Sequence, residues 1–167
     1  GLLPFETFIK GKKADVFANI VRTCSAKLLA ALEAQLVKEL TQIIAFNKTV
    51  LNIQLLNKSF ESYFPSVTQL KSELEALKAE SEEEEDREPQ EDEEGGVIAK
   101  EKAIQKKEAL IEFVESLHEG NPLLGKWGIR MNLLKPRILS LQLNAIVKAT
   151  VEARKKNSSA RVRIIIP

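Results

Sequence analysis

Between Pro4 and Pro65 the chain has no proline and a single glycine, Gly11. More than any other feature, that unbroken stretch commits it to long helices, because nothing in it must end one. From Asp15, a plausible N-cap, Val16, Ile20, Val21, Cys24, Leu28, Leu32, Leu36, Leu40 and Ile43 recur at helical spacing and share one stripe. Ala26 to Ala34 is rich in Ala and Leu, the strongest helix formers. Asn47, Asn52 and Asn57, with Thr49 and Val50, lower the propensity and predict a kink near Asn47. Apolar residues continue through Leu51, Ile53, Leu55, Leu56 and Phe60. The expectation is one long helix, or two nearly collinear ones, reaching Phe60. Phe64-Pro65 closes it, since proline disfavours the helical region for the residue before it.

Ser66 and Gln69 form a capping box opening a second helix, with Val67, Leu70, Leu74 and Leu77 as its seam. It reads as the second arm of a hairpin packed on the first helix. A third helix spans Val97 to His118 on Ile104, Leu110, Ile111, Val114 and Leu117, stopped by Gly120-Asn121-Pro122. A loop from Leu123 to Arg130 holds the only Trp, and Pro136 then opens a fourth helix to Lys156. Its stripe reads Leu139, Leu143, Ile146, Val147 and Thr150, and Arg161 to Ile166 reads as a short strand or extended tail. The fold class expected is all-α: an antiparallel bundle of about four main helices around an aliphatic core.

Charge divides the chain. Residues 80–96 carry eleven acids and one base, Arg87, whereas residues 97–167 carry fourteen bases and six acids. The acidic run has nothing apolar to bury and is expected to be a disordered linker, a solvated connector or an arm for a basic partner. The expected organisation is therefore a helical region over 14–79, the linker over 80–96, a helical pair over 97–157 packing on the first region, and an extended tail over 158–167. Gly1 in place of Met is expected of a processed product or a fragment. The first 13 residues do not read as a secretory signal, and one unpaired Cys favours a reducing compartment, so an intracellular setting, cytoplasm or nucleus, is expected.

One Cys and one His in the whole chain leave little for catalysis. Glu115 and His118 match a di-metal motif once, with no second His, so no metal or cofactor is expected. Cys24 lies in an apolar stripe and reads as a small buried hydrophobe. The glycine pairs 95–96 and 125–128 lack the spacing of a phosphate-binding loop. The reading that follows is a non-catalytic scaffold, not an enzyme, joining other subunits or itself through helix faces.

The alternative is an RNA- or DNA-associated factor, autoregulated by the acidic linker. Its contacts would be Lys126, Arg130, Lys135, Arg137, Lys148, Arg154, Lys155, Lys156, Arg161 and Arg163, with Trp127 stacking on a base. Ser62-Tyr63-Phe64-Pro65 and Leu134-Lys135-Pro136, flanking a charged insert between long helices, resemble the 11S proteasome activators. The Gly-Asn-rich activation loop of that family is missing, and the resemblance implies no function here.

Overall fold

The computed structural model describes residues 1–85, 94–118, 120, 121 and 125–167, with side chains omitted at 82–85 and 94–99. The chain divides into two compact units, Gly1–Tyr63 with Glu119–Pro167, and Phe64–His118.

In the first unit the long helix expected from the sequence breaks twice. α1 (Lys12–Thr23) ends at Cys24, whose left-handed backbone (φ 50°) turns the chain. α2 (Ala26–Phe46) then starts at Ser25, whose hydroxyl faces the Leu28 N–H at 3.5 Å. Past Phe46 the chain is a strand rather than a helix. Asn47 accepts a hydrogen bond from the Thr49 N–H and turns the backbone out of the helix. β2 (Leu51–Gln54) follows, burying Leu51 and Ile53 while Asn52 and Gln54 alternate to the other face.

β2 lies between β1 (Leu2–Pro4) and β3 (Val162–Ile165), and both pairings are parallel. Leu3, Ile53 and Ile164 stand in one register row, with Leu2, Asn52 and Arg163 in the next. The antiparallel all-α bundle is thus corrected to a β/α architecture with strands in sequential order. The stretch from Arg161 to Ile166, expected as a short strand or an extended tail, holds the third strand. Parallel neighbours need helical crossovers, because no tight turn returns a chain to run the same way. Sequential order without reversal is the winding of a β/α barrel wall rather than of a doubly wound sheet.

α5 (Gly128–Leu134) and α6 (Pro136–Lys156) lead from the second unit to β3. α6 runs parallel to α2: Arg137 donates to the Cys24 carbonyl at one end, Lys148 pairs with Glu33 midway, and Asn157 donates to the Ala45 carbonyl at the other. Its buried face is Ile138, Leu141, Gln142, Ala145, Ile146, Ala149 and Ala153. The expected stripe was rotated from this: Leu139 and Leu143 are half-buried and Val147 is exposed. Alanines at every fourth position let the two helices approach closely. The core is mainly aliphatic, with Phe5 and Phe17 fully buried and Tyr63 set edge-on to Phe17 at 4.7 Å.

The second unit is a helical hairpin of α3 (Val67–Glu85) and α4 (Glu94–Leu117). Lys71–Glu115 and Lys78–Glu108 ion pairs show the antiparallel run, and Leu70, Ile111 and Val114 form the core with Phe64 and Phe113. The arm expected to pack on the first helix has its partner in α4. Ser66 caps α3 as expected, but the Gln69 side chain turns forward to Glu73 rather than back. Of the acidic run 80–96, residues 80–85 belong to α3 and 94–96 to α4; residues 86–93 lie outside the described residues.

Candidate functional site

In β/α architectures the functional groups gather where strands end, because the loops there are free to vary on a rigid wall. Here three segments converge beyond the carboxyl ends of the strands. Just past β1, Glu6 turns back, and its carboxylate accepts from the backbone N–H groups of Asn57 and Lys58, just past β2. The run Gly125-Lys126-Trp127-Gly128 then lies across the ends of β2 and β3. The Gly128 N–H donates to the Asn57 carbonyl and the Ile129 N–H to that of Pro167, each at 3.2 Å.

Only glycine fits at 128. Its φ is +52°, and a Cβ there would stand 2.9 Å from the Pro167 carbonyl oxygen and 3.2 Å from Asn57 Oδ1. Behind it sits a fully buried polar network. Gln142 accepts from the Leu56 N–H at 2.8 Å and donates to Asn132 Oδ1 at 2.6 Å. Asn132 donates in turn to the Leu56 and Gly128 carbonyls. Burying two amides is favourable only if their polar atoms are satisfied, and here each bond ties the strand end to the loop.

The outcome is a cationic rim. Lys58 is exposed, Lys126 half-buried and Arg130 exposed, on backbone held together by the contacts just described. Glu6, an acid in this frame, spends its carboxylate on backbone amides. Trp127 is half-exposed beside them. Tyr63 adds a buried phenol oxygen without a hydrogen-bond partner. Burial first, and the Glu6 charge second, hold its pKa well above the ordinary tyrosine value, so it stays a protonated donor. Such a rim can capture and orient an anion. Among the described residues no cluster of three His, Cys, Asp or Glu side chains is placed to hold a metal.

The basic residues singled out in the sequence do not form one patch. Lys126, Trp127 and Arg130 lie at the strand ends. Lys135 and Arg137 stand at the start of α6, and Lys148 pairs with Glu33. Lys155 pairs with Glu152, and Arg154 and Lys156 share its last turn, a helix length of about 30 Å from the first. Arg161 precedes β3 and Arg163 is exposed on it. Sequence reasoning missed Glu6, Asn57, Lys58, Gly128, Asn132 and Gln142. The available signal was Gln142, a polar residue within an apolar helix face.

Comparison with known proteins bears on what this rim serves. The family model described as "PEP-utilising enzyme, PEP-binding domain" matches residues 7–167. A pyruvate, phosphate dikinase of Entamoeba histolytica is 25% identical over 121 residues, covering 72% of this chain and 12% of the relative. One of Giardia intestinalis is 35% identical over 63 residues, covering 38% of this chain and 7% of the relative. The chain thus spans a small part of the length of the curated relatives it matches. These findings overturn the non-catalytic scaffold and the exclusion of an enzyme, which rested on amphipathic stripes and scarce His and Cys, and the nucleic-acid factor, which rested on the basic residues from Lys126 to Arg163. They also displace the resemblance to the proteasome activators. No helix of the described residues is long and apolar enough to cross a membrane.

Proposed function

Because the chain belongs to the PEP-utilising enzymes, matching their PEP-binding domain over nearly its whole length, we propose that it forms consecutive strands of that domain's barrel wall and lends cations to the capture of phosphoenolpyruvate. The first unit supplies the strands, and Lys58, Lys126 and Arg130 face the carboxylate and phosphate of the substrate. The observation that carries this reading is Gly128, wedged between Asn57 and Pro167, which fastens the basic loop to the carboxyl ends of two parallel strands. Phosphoenolpyruvate carries negative charge at both ends. When its phosphoryl group leaves, the enol oxygen keeps the electron pair, so fixed cations serve both binding and the developing charge.

The second face of the sheet supports the same placement. Leu2 and Arg163 are exposed there, and Asn52 Oδ1 is buried without a partner. A face so incompletely satisfied suits a barrel interior completed by further strands. The intracellular setting expected from the sequence remains part of this proposal.

The test is calorimetric titration of the full-length protein with phosphoenolpyruvate. Neutralising Lys58, Lys126 and Arg130 to Gln one at a time should weaken binding by about tenfold each, the worth of one charge-assisted hydrogen bond. Undiminished affinity in all three variants would refute the assignment.

A further inference from the structure

A separate cleft lies where α2 and α6 begin. It has a volume of about 470 Å3, and Ile20, Leu29, Leu134 and Ile138 make its aliphatic walls. Lys135 and Arg137 stand on it, and so does Cys24. The size and apolar lining are those of a small-molecule site with few polar groups. No aromatic ring lines it, so nothing there stacks on a base.

Charge around the cleft is of one sign. No acid occurs from residue 16 to 32 or from 120 to 151, whereas Arg22 and Lys27 flank the turn at Cys24. Arg137 spends one N–H on the Cys24 carbonyl at 3.0 Å, and a guanidinium has five to give. Because α2 and α6 run parallel, their positive ends also lie side by side, with no acid in the first turn of either.

We propose that this cleft binds an organic anion with an aliphatic tail, independently of the strand-end site. The tail lies against Leu29 and Leu134, beneath which Ile20 and Ile138 are buried, and the acidic headgroup, carboxylate or phosphoryl, reaches Lys135 and Arg137. Burial of the tail gives the affinity and the cations select the charge.

Cys24 provides the readout, since a ligand seated in the cleft shields its thiol. In the full-length protein, alkylation of Cys24 by iodoacetamide is followed at the level of its own peptide by mass spectrometry. Octanoate, octyl phosphate, octanol and inorganic phosphate are titrated in turn. Saturable protection by octanoate, octyl phosphate or both is expected, with octanol and inorganic phosphate far weaker. Arg137→Gln and Lys135→Gln should each raise the half-protecting concentration about tenfold. Leu134→Asp, at an exposed rim position, should do the same by repulsion without touching the fold, and Lys148→Gln should change nothing. Protection by octanol or phosphate equal to that by the acids, protection unaltered in all three cleft variants, or no protection at all would overturn the proposal.

Discussion

The two units solve the same problem, covering apolar faces, over very different distances along the chain. In the hairpin, Lys107 reaches Glu73 across 34 residues, and the core is made by two helices joined in sequence. In the β/α unit, Gln142 reaches Leu56 across 86 residues and Arg137 reaches Cys24 across 113. Strands of three and four residues hold nothing by themselves; each needs a parallel neighbour brought from far away. The difference teaches where this chain is brittle. A local hairpin degrades gradually when one contact is lost, whereas a wall assembled from distant pieces depends on the few residues that join them.

The sharpest way to break that contrast is at Gly128. Gly128→Ala adds a Cβ at a positive φ and drives it against the Pro167 carbonyl. Left-handed strain and overpacking together predict a loss of about 2–4 kcal/mol. Amide exchange should accelerate across the β/α unit and stay unchanged in α3 and α4. Uniform loosening of both units would mean that the junction is not the weak point. Gln142→Leu comes next. It leaves the Leu56 N–H and Asn132 Oδ1 buried without partners, a cost of about 2–3 kcal/mol in urea unfolding. A variant as stable as the parent would show that the network is dispensable.

The same contrast explains what could be read from the sequence. The two helices of the hairpin were legible, though not their pairing, because stripe and cap are local: Leu70, Ile111 and Val114 were all placed on buried faces, and Ser66 at a helix start, while α3 was expected to pack on the first helix. Beyond Phe46 the residues that continue an apolar pattern are shared by helix and strand. Leu51 to Gln54 alternates over only four positions, too short to outweigh the long helix before it. The basic loop from Lys126 to Arg130 was noticed for its charge. That Gly128 would fasten it to Asn57 and Pro167 depends on tertiary register, which no local pattern carries. The scarcity of His and Cys argued against catalysis only on the assumption that chemistry needs them. A site that acts by placing cations around a substrate does not.

A milder change should act on the hairpin alone. Val114→Ala removes two buried methyl equivalents from the α3–α4 core. The expected loss is about 1–2 kcal/mol, read as faster exchange in α3 and α4 with the β/α unit intact. A matching loss in the β/α unit would dissolve the contrast between the two.

The units should also part company with pH, on opposite sides of neutrality. Tyr63, in the β/α unit, has its pKa raised by burial and by Glu6, so the neutral phenol is the favoured folded form. Its contribution is full below the ordinary tyrosine value and is lost as pH rises above it. Tyr63→Phe should flatten that alkaline decline. Glu73, in the hairpin, has its carboxyl held below the usual carboxylate range, first by the hydrogen bond from Lys107, then by that from Gln69, then by the Lys107 charge. Its contribution is therefore full above the unfolded carboxylate value and fades as pH falls through the depressed one. Because this pair lies at the surface, salt should weaken it and the effect should be the smallest of the series. Exchange of α3 amides between neutral and acid pH, compared with Lys107→Gln, isolates it. An acid profile unchanged by that substitution would remove Glu73 from the account, and would leave the hairpin held by its apolar stripe and its remaining ion pairs, Lys71–Glu115 and Lys78–Glu108.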